Sequence, residues 1–188
     1  MPAAADYSIV SMIELKTALD IKETNDEQER LLSLLIPGVS SQIETFLNRP
    51  VVAHVYTSEA YDGDGTDTLF LPAPIIAVTS LINDGTTILA ADYWVYKKTG
   101  KVQLKDTVFE DEPQAVVVTH RSGWEPNDIP ADIRGAAIMA IKDSYHKIKD
   151  DRLGLLSVTQ GDQTFSYAQG LPGEVRDILR LYRISGAG

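Results

Sequence analysis

T-H-R-S-G-W-E-P-N-D-I-P-A-D-I-R-G-A-A-I-M-A-I-K-D-S-Y, from Thr119 to Tyr145, holds the change of period on which the fold turns. Its first residues end an alternating, β-branched run, and Gly123 marks a turn. Ile129-Pro130 then opens a helix, where a Pro in the first turn is suited because its missing N–H has no intrahelical partner there. Ile133, Ala137, Ala140, Ile141 and Ile148 form a stripe along that helix. Gly135, Ala136, Ala137 and Ala140 leave part of it with little side chain. That suits close packing against another helix of the same chain or against a second subunit alike.

Upstream, from Val51 to Arg121, the pattern alternates. Val51–Tyr56, Thr68–Leu71, Ile75–Ile82, Tyr93–Tyr96, Val102–Leu104 and Ala115–His120 read as strands. The turn signals D-G-D-G, N-D-G-T and K-T-G-K lie between them, and their glycines can take the positive φ of tight hairpins. Further upstream the period is helical again. Ser11 and Glu14 have capping-box spacing ahead of Ile13, Leu15 and Leu19, which predicts a short helix ending near Asp20. Leu32, Leu35, Ile36, Val39, Ile43, Phe46 and Leu47 predict a longer one, with a kink at the interior Pro37.

Downstream, residues 151–171 are polar and weakly patterned and read as a long loop or arm. The last helix follows Pro172-Gly173 and runs to about Ile184, with Val175, Ile178, Leu179 and Tyr182 on one face. The expected class is α+β. Helices from both ends (11–48, 129–150 and 172–184) form one bundle, and an antiparallel β module (51–122) is inserted between them.

The 188 residues, 44% hydrophobic and 23% charged, are those of an ordinary globular chain able to bury its own core. The absence of Cys excludes disulfides, thiolate zinc sites and cysteine nucleophiles. A formal net charge of −10 argues against a protein whose main task is gripping nucleic acid, since neutralising phosphates needs clustered Lys and Arg. No apolar run is long enough to span a membrane, and the N-terminus lacks signal-peptide character.

Candidate sites are few. Asp62-Gly63-Asp64-Gly65-Thr66-Asp67 places carboxylates at alternating positions, yet Asp67 and Ala73 occupy the places where a calcium-binding EF-hand loop needs its Gly and its bidentate Glu. A hairpin turn is the expectation, with no metal. His54, His120 and His146 are scattered, and no nucleophile elbow, phosphate loop or dinucleotide fingerprint appears, so neither a cofactor nor a catalytic residue is expected. Plentiful carboxylates leave a small carboxylate-dependent hydrolase as the alternative from another class. Lys97, Lys98, Lys101 and Lys105 cluster around the K-T-G-K turn, either as a solvated hairpin or as a contact to DNA phosphate. Arg176, Arg180 and Arg183 make a basic stripe on the last helix. This is a solvated face favoured by the helix dipole, or a docking helix carrying guanidinium forks to a partner.

Several segments in one order carry a resemblance. They are M-I-E-L-K-T-A-L-D-I, D-E-Q-E-R-L-L-S-L-L-I, Q-I-E-T-F-L-N-R, D-G-D-G-T-D-T-L-F-L-P, P-I-I-A-V-T-S-L-I-N-D-G, Y-W-V-Y, the S-G-W-E-P-N-D-I-P stretch with its helix, G-L-L-S-V-T-Q-G-D and L-P-G-E-V-R-D-I-L-R-L-Y-R. Together they resemble the head-tail connector (adaptor, or head-completion) family of tailed bacteriophages across nearly the whole chain. The resemblance implies a single connector domain over 1–188 and a non-enzymatic virion protein at the head-tail interface, assembled in the host cytoplasm. It further implies a ring of self-associated copies, commonly a dodecamer, beneath the portal protein. Double-stranded DNA passes through that ring without sequence-specific contact, and the next neck, stopper or tail protein assembles on it. A tail-side completion protein is the nearer alternative. The portal-docking element carried over from the family is the last helix, with Val175, Arg176, Leu179, Arg180, Tyr182 and Arg183. The β module exceeds what minimal members of the family need.

Overall fold

The computed structural model describes residues 8–22, 26–149, 157–160, 163–166 and 170–183. The chain divides into two compact units, Met1–Asn48 with Ile129–Gly188, and Arg49–Asp128. As expected, helices from both ends share one unit, and the antiparallel strands between Arg49 and Asp128 form the inserted one.

In the helical unit, α1 (Met12–Ala18) starts from the anticipated capping box. The Ser11 hydroxyl accepts from the Glu14 N–H at 3.2 Å, and Glu14 Oε2 accepts from the Ser11 N–H at 2.9 Å. The other Glu14 oxygen holds Arg134 at 3.0 Å, tying α1 to α3 (Ala131–Lys149). These donors, the Ser11 N–H foremost, keep the Glu14 carboxyl below its usual range. α2 (Asp26–Leu47) buries Leu32, Ile36, Val39, Ile43 and Leu47, and it continues on either side of Pro37. Its buried Ser40 accepts from the Ile9 N–H and donates to the Ile36 carbonyl, so no polar group is stranded there. α4 (Gly173–Leu179) and a 3₁₀ turn (Arg180–Tyr182) pack on α2 and α3.

Along α3, Ala136, Ala137 and Ala140 are buried, which is the close approach their small size allows. Gly135 is not part of it, because a Cβ there would meet nothing within 4 Å. Gly135→Ala should therefore raise stability by about 1 kcal/mol through helix propensity alone. A urea midpoint that falls instead would refute the open space beside Gly135.

The inserted unit carries β1 (His54–Tyr61), β2 (Thr68–Phe70), β3 (Ile75–Asn83), β4 (Thr86–Thr87), β5 (Tyr93–Tyr96), β6 (Lys101–Leu104) and β7 (Val116–Ser122). They form two antiparallel sheets, ordered β1-β7-β3-β4 and β2-β6-β5. Leu69, Tyr93, Val102 and Leu104 from the smaller sheet share one core with Ile75, Leu81, Val116 and Val118 from the larger, with Phe109 buried among them. The β3–β4 hairpin turns on Asp84 and Gly85, with φ of 44° and 72°, the pair of positive angles that a two-residue primed turn requires.

Two expectations need correction. The first strand begins at His54 and reaches Tyr61, because a bulge at Ser58 (φ 51°) lets pairing with β7 resume at Glu59. Val52 makes only an isolated bridge, to Trp124. Residues 151–171, read as a loop, include β8 (Ser157–Gln160) paired with β9 (Gln163–Ser166). Val158, Thr159, Thr164 and Phe165 are strand formers flanking a Gly-Asp pair, a hairpin signal hidden by the polar composition around it. The rest of that span, apart from Gly170 and Leu171, lies outside the described residues.

Candidate functional site

The basic stripe of the last helix sits on a helix held firmly from behind. Val175 and Leu179, four residues apart, are fully buried and fix α4 within its own unit. Neither is exposed to meet a partner. Tyr182 adds a polar tie: its hydroxyl donates to Asp132 Oδ2 at 2.9 Å, a bond that raises the phenol above its usual range. Arg183 lies over the Phe46 ring at 5.4 Å.

The outward face carries Arg176, Asp177 and Arg180, with Arg180 and Asp177 paired at 3.0 Å. Both partners of that pair are mostly exposed, so it is readily exchanged for another carboxylate. Beside them Leu181 is 84% exposed, the highest value among the large apolar side chains of the described residues. Sequence reasoning missed Leu181. Its signal was an apolar residue out of phase with the stripe of Val175, Leu179 and Tyr182. Arg176 also borders an open groove of about 370 Å³ whose floor includes Phe46 of α2 and Leu171. The arrangement offers guanidinium groups, an apolar floor and a projecting leucine on one surface, which suits adhesion to a protein.

The other candidates resolve into structure. Asp64 accepts from the Thr66 N–H and hydroxyl at 3.0 and 2.7 Å, Asp67 accepts from Gln103 at 2.7 Å, and Asp62 accepts from the Gln114 N–H at 2.8 Å. These bonds hold Asp64 and Asp67 below the usual carboxylate range. Each carboxylate serves its own turn, and among the described residues no group of His, Asp and Glu could hold a metal ion. Likewise no described helix is long and apolar enough to cross a membrane.

Among the described residues, His120 has the one arrangement with catalytic appearance. Its Nδ1 is 2.9 Å from Ser122 Oγ, and its Nε2 is 3.0 Å from the Tyr61 hydroxyl and 3.4 Å from Glu59 Oε2. Tyr61 gives its only hydroxyl proton to Glu59 at 2.6 Å, so Nε2–H donates to Tyr61 and Nδ1 accepts from Ser122. The imidazole also stacks on Tyr56 at 4.6 Å. His120 and Ser122 are both fully buried, so no substrate reaches the serine oxygen. The network is a satisfied polar core.

Comparison with known proteins then decides the family. The model of the head completion protein family matches residues 8–185, across both units. The chain belongs to this family. No curated protein matches it in sequence. Among solved structures, a protein of the neck of an empty gene transfer agent particle computed with C6 symmetry is similar in fold, with a TM-score of 0.64 at 14% identity, over 100% of this chain and 94% of that one. A protein of the virion of a native gene transfer agent particle gives 0.60 at 14% identity, over 100% and 93%. One from the neck of a native particle computed with C12 symmetry gives 0.56 at 15% identity, over 95% and 94%.

Proposed function

We propose that this head completion protein is a structural protomer of the head-tail neck, forming a ring beneath the portal through which packaged DNA passes and on which the next neck or tail protein assembles. The observation that carries the reading is the family match over residues 8–185, which spans helical and β units together. The full-length likeness in fold to neck proteins of gene transfer agent particles supports it. So does the outward face of α4, which we assign to portal docking.

In that assignment Arg176, Arg180 and Arg183 meet carboxylates or carbonyls of the portal, Leu181 enters an apolar pocket, and Tyr182 sets the approach. Val175 and Leu179 support the helix from inside. A ring of acidic subunits can surround DNA without adhering to it, since charge is screened within about 10 Å at moderate salt.

Truncation after Leu171 would remove two core residues and is a poor test. Arg176→Glu with Arg180→Glu leaves the core intact and should weaken portal binding about tenfold or more at low salt, and less at high salt. Titration of purified portal with each protein checks this, and an unchanged affinity removes the docking assignment. Negative-stain images of wild type mixed with portal test the wider reading: an added ring at one end is expected. Rings on tail tubes in place of portal would move the protein to the tail side.

A further inference from the structure

The outer face of the β2-β6-β5 sheet carries an exposed row of aromatic side chains. The register sets Phe70, Lys101 and Tyr96 side by side across the strands, and Thr68, Gln103 and Trp94 in the next row. Phe70 is 66% exposed, Trp94 50% and Tyr96 45%, while Leu69, Val102 and Leu104 fill the core behind them. Lys101 lies over the Tyr96 ring at 4.2 Å and Lys105 over Trp94 at 5.2 Å. Exposed Trp and Tyr with cations on their faces are the composition of an interface core.

Charge is sorted along the same sheet, with Lys105, just past Leu104 at the far end, as the exception. At the end reached by the β5–β6 hairpin stand Lys97, Lys98 and Lys101. At the other end two loops come together: the Gly63 N–H donates to the Glu112 carbonyl at 3.1 Å and the Phe109 N–H to the Thr66 carbonyl at 2.8 Å. Gly63 has room for no side chain there, since a Cβ would fall 1.8 Å from the Glu110 carbonyl oxygen. This junction gathers the exposed Asp62, Asp64, Glu110, Asp111 and Glu112 into a knob.

We propose that this face binds the acidic knob of a second copy of the chain, in a head-to-tail contact. A nucleic acid strand would stack on the same rings, yet it meets the wrong field. Arg49–Asp128 holds twelve acidic side chains against six basic ones, and Asp67 is bonded to Gln103 on the face itself. A copy of the chain instead presents the opposite charge in a shape already fixed by the sheet. Two different patches that complement each other form a heterologous contact, which closes into a ring if the rotation allows. The inference rests on the ring reading above and names the surface through which copies would meet.

The absence of native cysteine makes the test direct. Thr99→Cys marks the basic end and Thr107→Cys the acidic one, both exposed and uncharged. With purified portal present, a short bis-maleimide should convert the full-length double variant into a ladder of trimers and larger species, and each single variant into dimers at most. Lys97→Glu with Lys98→Glu should cut the ladder about tenfold, as should Asp64→Lys with Asp111→Lys, and mixing the two reversed proteins should restore it. A ladder insensitive to either reversal, or a mixture that stays unlinked, overturns the proposal. Rings on portal without the ladder discard this surface and keep the ring reading. The ladder without rings on portal does the opposite.

Discussion

Gly123→Ala should cost about 3 kcal/mol or more of unfolding free energy, the largest effect expected from adding a single methyl group. Gly123 follows β7 at φ 106°, where an L side chain is strained. A Cβ would also lie 2.6 Å from the Val52 carbonyl oxygen, 2.8 Å from its carbon and 2.9 Å from the Ala53 nitrogen. All three are backbone atoms, so none can swing aside. The chain cannot draw back either, because the Gly123 N–H donates to the Pro74 carbonyl at 2.8 Å and the Trp124 N–H to the Val51 carbonyl at 2.7 Å. Two controls divide the cost. Gly85→Ala meets open space at φ 72° and should show only the conformational penalty, about 1 kcal/mol, while Gly135→Ala has neither problem. Urea unfolding of the three variants gives the order. A loss at Gly123 no greater than at Gly85 would refute the close approach.

Acid should destabilise the protein well before its carboxylates are protonated. Burial pushes the His120 imidazole below its ordinary value, and His54 nearby pushes the same way, against the opposing pull of Glu59. Tyr56, Tyr61 and Ser122 complete its surroundings without adding charge. In the unfolded chain the group takes up its proton near pH 6.5, whereas in the folded chain it resists until lower pH. The unfolded state therefore binds more protons in that window. Stability is full above about pH 6.5 and falls as the pH drops toward the folded value, by up to about 1.4 kcal/mol per pH unit. Glu14, Asp64 and Asp67, held low by their hydrogen bonds, act in a window below that one. His120→Gln keeps a polar partner for the core and should flatten the curve between pH 7 and 5. An equally steep loss in the variant would exclude His120 as the cause.

How much could be read in advance depended on whether a signal was local. Capping at Ser11, the α2 stripe and the Asp84-Gly85 turn are written in residues a few positions apart, and the structure keeps them. The bulge at Ser58 was not legible, because it is fixed by the Thr119 hydroxyl 61 positions away, which accepts from the Ser58 N–H at 3.0 Å. The division of strands into two sheets depends on similarly distant pairing. At the candidate site the arginines were legible as a stripe. Which neighbours are buried was not, since Val175 and Leu181 are both apolar and only packing distinguishes the fully buried one from the exposed one. The aromatic row required the register of three strands, whose sequences show ordinary alternation when read singly.

A clasp draws the two ends of the β unit together. Val51 and Ala53 are hydrogen-bonded to Trp124, and the Arg49 guanidinium lies 4.6 Å from the indole while its Nε donates to Ala73 at 3.1 Å. The way in and the way out therefore run side by side, about one strand spacing apart, near 5 Å. Tied off in this manner, the unit cannot part at one end without breaking the hydrogen bonds that hold the other.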